Sequence, residues 1–438
     1  MLSSGFKALR GQALVRSLVL ISPLFFLTVN EWTNVVVLFL SISAVWFLLR
    51  RPKAVSNAAF RKVAAFPESR VIPWVLAGPL LAVILGQLFR ADFYPPNLDA
   101  PLRFVLCIPI YLALNRGWAA QPGAQPITLQ WVQSVLPMTL IWTFLFTLKW
   151  PSYWGAGLTT YFVDPLSFGS YCLMFSFLSL AGLTCFWSVL SWPKRILSLV
   201  GIACGIYLSV ASGSRTGWLN LPVFMLLWMG FCLKPRIGLV RTLFLAAVLL
   251  ALIFVLLIAK PNLANKFILA YQEIRAYQWN AMNPDSSVTL RISFYRMGYF
   301  YFMEHPWSGW GDLGWMARMN APELMIYASP AAREFPSHGF HNEIITSAVR
   351  SGVWGLVSST LLFAVVIYRA CRGLIHGFGS SQLIALMLLI FILHLLSAGM
   401  TTEVTNLVFL VSFIGLTLAV MLAEQDVASG EAARQKQT

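Results

Sequence analysis

The run SQLIALMLLIFILHLLSAG, Ser381 to Gly399, contains no Lys, Arg, Asp or Glu. A bilayer core of roughly 30 Å needs about 20 helical residues, and every backbone polar group inside it must be paired, so such a run reads as a transmembrane helix. Comparable runs recur along the chain. Spans are expected near 14–30, 33–50, 71–89, 101–115, 130–148, 166–187, 195–212, 217–234, 240–259, 343–369, 381–399 and 404–423. The fold class expected is therefore all-α, a polytopic membrane protein of about twelve transmembrane helices, with one long extramembrane loop.

Composition points the same way. The 438 residues are 58% hydrophobic and 11% charged, whereas a soluble domain carries about a quarter charged residues. Trp32, Trp46, Trp74, Trp142, Trp150 and Trp154 recur near the ends of apolar runs, as an interfacial belt requires. The net charge of +15 sits in short clusters between apolar runs, with no RNA-binding motif or basic soluble domain to carry it, so no nucleic-acid partner is expected. Cys107, Cys172, Cys185, Cys204, Cys232 and Cys371 fall in or beside apolar segments without CxxC or zinc spacing. Lys7, Arg10 and Arg16 precede an apolar run with no convincing cleavage site, which reads as a retained first helix.

Lys and Arg in short loops set the orientation. Arg50, Arg51, Lys53, Arg61, Lys62 and Arg70 cluster after the second span, and Lys194, Arg195, Lys234, Arg236, Arg241, Arg369 and Arg372 fall in loops of the same parity. Those loops and both termini are expected in the cytoplasm. The expected organisation is helices one to nine over 1–259, an outward loop with amphipathic helices over 260–341, helices ten to twelve over 342–423, and a cytoplasmic tail over 424–438. Loops of such length are uncommon without a function. Helical spacing is expected over Leu263–Trp279, and an aromatic amphipathic helix over Thr289–Met303.

Three features could carry chemistry on the outward side. Arg215 lies in Ser212-Gly213-Ser214-Arg215-Thr216-Gly217, a break between apolar spans where an arginine faces either a cavity or, in the bland reading, snorkels to the interface. Arg291 and Arg296 lie in Leu290-Arg291-Ile292-Ser293-Phe294-Tyr295-Arg296, and a guanidinium fork grips phosphate bidentately. Their spacing of five puts them on different faces of a helix, and the plain alternative is a solvated face. Glu304-His305-Pro306-Trp307-Ser308-Gly309-Trp310-Gly311 follows, a turn whose glycines could admit a ligand close to the backbone. His338 and His341 stand in Ser337-His338-Gly339-Phe340-His341-Asn342-Glu343, just before the chain returns to the membrane. An imidazole there suits proton transfer near neutrality. The rivals are a shared metal, which no Cys or HExxH helix supports, and an interfacial pair in which Asn342 merely caps the helix.

The order of these pieces resembles the O-antigen ligase and polymerase superfamily: Ser-Arg, then Arg-x-x-x-Tyr leading to Pro-x-x-Gly-x-Gly, then His-Asn with Gly352 and Gly355 behind it. The specific motifs occupy 212–216, 291–315 and 338–355. Carried across, the family's two functional arginines fall on Arg215 and Arg291, and its histidine on the His338–Asn342 segment. This sequence offers two histidines there: His341 matches by adjacency to Asn342, and His338 sits beside Gly339, so both stand. Arg296 and Glu403 are further candidates. The resemblance implies a bacterial inner-membrane enzyme of the type C glycosyltransferase kind, inverting, without metal or other cofactor, with its site facing the periplasm. It implies an undecaprenyl-diphosphate-linked O-antigen donor and, for a ligase, a lipid A-core acceptor in lipopolysaccharide biosynthesis. The alternatives are an O-antigen polymerase using the same donor, and a lipid-linked glycan transporter. A transporter is expected to show repeat symmetry and ionisable residues at mid-membrane, and neither is clear in the sequence.

Overall fold

Ten helical runs among the described residues are long and apolar enough to cross a membrane. The computed structural model describes the chain except for residues 1, 51–66, 121–123, 156, 215, 260, 335–338 and 436–438. The helices that matter below are α1 Leu2–Ile21, α2 Trp32–Leu49, α3 Ile72–Arg90, α4 Asp99–Asn115, α5 Leu136–Lys149, α6 Pro165–Phe186, α7 Trp192–Ala211, α8 Leu221–Leu227 and α9 Lys234–Ala259. They continue with α10 Pro261–Ala276, α11 Ser287–Glu304, α12 Glu343–Ser351, α13 Val353–His376, α14 Ser380–Gly399 and α15 Val408–Gln435. The one small sheet among the described residues is a hairpin of β1 Ser152–Trp154 and β2 Gly157–Thr159, within the aromatic stretch after α5. An all-α polytopic membrane fold is what the apolar runs imply.

Four boundaries differ from those the hydropathy suggests, each for a local reason. The first span, expected over 14–30, stops at Ile21 and is followed by turns: Pro23 has no N–H with which to continue the ladder. Its apolar part, Gly11–Ile21, is shorter than a full span. The eighth and ninth spans meet in one helical run, Gly217–Val248, broken at Gly238, whose φ of 81° and ψ of 167° leave helical space. The tenth span, expected over 343–369, is cut by Gly352 at φ 64° into the short α12 and the long α13.

At the far end, α15 runs past residue 423 to Gln435. Charged residues that hydropathy counts against a helix are paired inside the bundle. The Glu424 carboxylate accepts from the N–H of Thr128 at 2.9 Å, and Asp426 accepts from the Tyr111 hydroxyl at 2.6 Å and pairs with Arg369. Buried acids are tolerated when each lone pair is met in this way.

Helices α6, α14 and α15 are the most enclosed of the spans. Helix α15 packs along α4, α6 along α7 and α13 along α14, around one continuous apolar core. A second, separate core lies in the segment between α10 and α12: Phe294, Met297, Tyr301, Trp315, Leu324 and Phe340 are all nearly inaccessible. That segment is therefore a folded unit, and its apolar face holds α11 against α12. The start of α11 is fixed by a capping box, in which the Ser286 hydroxyl accepts from Thr289 N–H and the Thr289 hydroxyl accepts from Ser286 N–H.

Candidate active site

The short link between α14 and α15, residues 400–407, is where the chemistry-bearing pieces meet. From α11, the Tyr295 hydroxyl donates to the Met400 carbonyl at 2.8 Å. From the segment before α12, Nδ1 of His341 lies 3.2 Å from the Thr401 carbonyl oxygen. From the turn after α7, the Thr216 hydroxyl lies 3.2 Å from that of Thr401, and Ser397 donates to the Thr216 carbonyl at 3.3 Å. Glu343, at the start of α12, accepts from Thr405 N–H at 2.9 Å and from the Thr405 hydroxyl.

His341 is held on several sides. Asn342 caps α12, its side-chain oxygen accepting from Ile344 and Ile345 N–H at 3.1 Å each. Entry into that cap turns His341 to φ +50°, left-handed space that histidine tolerates better than branched residues do. Its ring stacks on Phe294 of α11, with centroids 5.7 Å apart and planes 25° from parallel. The Thr401 carbonyl can only accept, so Nδ1 carries a proton, and in the neutral ring the lone pair falls on Nε2. A proton acceptor in a fixed tautomer is the form a general base requires.

Arg291 lies one helical turn before Tyr295 and so shares its face, which leads to Met400. It is half-buried, and its Nη1 donates to Ser287 at 3.1 Å. Arg296, five residues on, is turned about 140° around the helix. Its guanidinium lies 3.6 Å over the Tyr327 ring and donates to the Trp279 carbonyl at 2.7 Å and to the Tyr277 hydroxyl at 3.3 Å. Those contacts pin the 277–279 turn and Tyr327 to α11, a bracing duty on a different side from Phe294 and His341. Arg215 and His338 lie outside the described residues; their neighbours Ser214, Thr216 and Gly339 are described. Ser214 donates to the Leu166 carbonyl at 3.2 Å, which ties the Ser-Arg turn to the start of α6.

The glycines of the 305–311 turn serve the chain itself. Trp310 and Gly311 N–H donate to the carbonyls of Val349 and Arg350 at 2.7 and 3.0 Å, and Val353 N–H donates to the Pro306 carbonyl at 2.7 Å. A Cβ on Gly309 would stand 2.5 Å from the Arg350 carbonyl carbon. The turn thus locks onto the Gly352 break, and Arg90 of α3 seals it by donating to the carbonyls of Ser308 and Arg350 at 2.6 and 2.9 Å. The Arg350 carbonyl, in the last turn of α12, is one of the orphan acceptors that a cation satisfies well.

Glu403 is the buried acid of the site. It accepts from the Thr346 hydroxyl at 3.1 Å and from the Asn406 amide at 3.3 Å, and lies 3.6 Å from the Arg350 guanidinium, which also pairs with Asp312. Burial pushes its carboxyl up to about 7, with Glu343 adding to the rise and Arg350 opposing it. The fold therefore retains a proton that the unfolded chain, ionising near 4.5, releases. Stability from this group is present below that lower value and is lost as pH rises through about 7. Glu403→Gln cannot ionise. Its melting temperature relative to the unsubstituted protein should rise between pH 5 and pH 8, by an amount equivalent to roughly 3 kcal/mol at most. Parallel melting curves at both pH values would remove Glu403 from this role.

Thr401 and Arg90, which belong to no sequence motif, carry much of this geometry together with Asp312 and Arg350, which lie inside motif segments but are not motif positions. A signal for the first was present in Thr401-Thr402-Glu403-Val404-Thr405-Asn406, a polar stretch between two apolar runs. Among the described residues no three His, Cys, Asp or Glu side chains are grouped as metal ligands. Residues 197–360 match the protein-family model described as O-antigen ligase, a span that includes the Ser-Arg turn, α11 and the His-Asn cap. No curated protein matches the chain.

Proposed function

With residues 197–360 carrying the domain of the O-antigen ligase superfamily, we propose that this chain is an O-antigen ligase of the bacterial inner membrane. It transfers polysaccharide from undecaprenyl diphosphate to lipid A-core on the periplasmic face, by inverting transfer that needs no metal. The observation that supports this reading best is the convergence on Thr401. Its hydroxyl meets the turn that holds Arg215, and its carbonyl fixes the ring of His341.

The chemistry follows from what the reaction lacks. The diphosphate is already a good leaving group, so the enzyme must hold its developing charge and make a sugar hydroxyl nucleophilic. Arg215 and Arg291 bind the diphosphate oxygens. His341 through Nε2, or His338, takes the acceptor hydroxyl proton as that oxygen bonds to the anomeric carbon from the face opposite the diphosphate. The carbon–oxygen bond to phosphate breaks, undecaprenyl diphosphate leaves with the electron pair, and the anomeric configuration inverts. Arg296, occupied with Tyr327 and Trp279, takes the supporting part of keeping α11 in place.

Removal of the gene decides between the two transfers that share this donor. Free lipid-linked polymer beside bare core is the result expected for a ligase. Core bearing a single repeat would assign the chain as a polymerase, and an unaltered lipopolysaccharide would overturn both. With purified protein, Arg291→Ala should lower kcat/KM by about 10²-fold, the scale of losing one charge-stabilising donor. Arg291→Lys should recover only part of that, because an ammonium does not reproduce the bidentate fork. Full activity in Arg291→Ala would remove it from the diphosphate site.

A further inference from the structure

Behind the Gly339–His341 segment lies a cavity of about 300 Å³ lined by Asp312, Trp315, Phe340, Arg350, Glu403 and Asn406. A second cavity, of about 150 Å³, shares Asp312, Arg350 and Asn406 with it and extends to Arg90, Asn97 and Asp99. We infer that the two form one subsite that takes an uncharged sugar ring of a substrate glycan, next to the reacting centre.

The lining suits a sugar. Hydroxyl groups both donate and accept, and the wall offers the carboxyl oxygens of Asp312 and Glu403 and the amide of Asn406. Trp315, Phe340 and Leu407 supply the apolar surface that a C–H face needs. A phosphate is disfavoured because the cations are already engaged: Arg350 with Asp312 and Glu403, Arg90 with two backbone carbonyls. Asp99, at the far end, is paired with Arg103 at 3.1 Å. A prenyl or acyl chain is disfavoured by the row of charged and amide groups it would have to desolvate.

Position supplies the second argument. Gly339 forms the wall facing Glu403 and stands two positions before His341, with only Phe340 between them, so a ring in the cavity abuts the segment that carries the base. Of the residues lining the cavity, Leu313 is the one at the surface, 58% exposed. Two sources share this chemistry, the acceptor sugar and the donor sugar nearest the diphosphate. The identity of the glycan rests on the transferase reading above, whereas the existence of the subsite does not.

Saturation-transfer NMR on the full-length protein in nanodiscs tests it with two soluble probes, core oligosaccharide freed from lipid A and repeat-unit oligosaccharide freed from its lipid diphosphate. One probe should receive saturation, and Leu313→Trp, which plugs the rim and removes no hydrogen bond, should cut the signal at least tenfold. His341→Ala should leave it in place. A core signal makes this the acceptor subsite, and a repeat signal the donor subsite. In transfer assays Leu313→Trp should raise KM for the same glycan about tenfold, with kcat within twofold. Should Leu313→Trp not reach the membrane, Leu313→Phe narrows the same rim. The proposal is overturned if neither probe receives saturation, or if the rim substitutions leave the signal and both KM values unchanged. A gene deletion without effect on lipopolysaccharide would instead sink the transferase reading and leave the binding result standing.

Discussion

His341→Ala should lose transfer activity by a factor of about 10²–10⁴ in kcat, the range a positioned general base contributes, while the protein accumulates normally in the membrane. The reason for expecting so large an effect is the fixed ring: Nδ1 is committed to Thr401, one face lies on Phe294, and Nε2 carries the lone pair. A structural strut would behave differently. His341→Asn keeps an N–H donor for the Thr401 carbonyl and suits the left-handed backbone at φ +50°, so it preserves geometry without a base. Activity restored by asparagine would make His341 a positioning residue. Inactivity of both variants, with partial rescue of His341→Ala by added imidazole, identifies the base. His338→Ala is the matching arm, and loss of transfer there beside a fully active His341→Ala moves the assignment to His338.

Apolar runs such as 381–399 and 166–187 were legible as helices because desolvation in a bilayer leaves the backbone no other choice. Boundaries were legible only where polarity and geometry change together. Gly352 ends α12 because the 305–311 turn donates into its last carbonyls, a contact between residues some forty positions apart that no periodicity records. The continuation of α15 through Glu424 and Asp426 likewise depends on partners, Thr128, Tyr111 and Arg369, far away in the chain. Within the site, the separation of Arg291 from Arg296 could be read from a spacing of five. The hub at Thr401 could not, since threonine there has no chemistry of its own and matters only through what two other segments bring to it. Glu403 was visible as an acid beside an apolar run, but its raised proton affinity comes from burial and from Glu343, against the opposing charge of Arg350.

Gly339 carries the other large effect. Its φ of +121° is backbone that L side chains rarely adopt, and a Cβ built there would fall within the Glu403 carboxylate. Gly339→Ala therefore has to move the acid, the glycine segment or both. Either movement is passed on, because Thr346 joins the Glu403 carboxylate to the Phe340 N–H, and Phe340 adjoins His341. Misplacement of a base by about 1 Å is enough to cost about 10²-fold, so Gly339→Ala should fall by about that much in kcat. Two causes, collision and backbone strain, are separable. Glu403→Ala frees the space without altering φ, so the double variant Gly339→Ala/Glu403→Ala should regain activity over Gly339→Ala to the extent that collision dominates. If it regains none, strain at position 339 carries the loss. An unimpaired Gly339→Ala would show that the contact between Glu403 and the histidine segment has no bearing on transfer, and the buried acid would then belong to the framework alone.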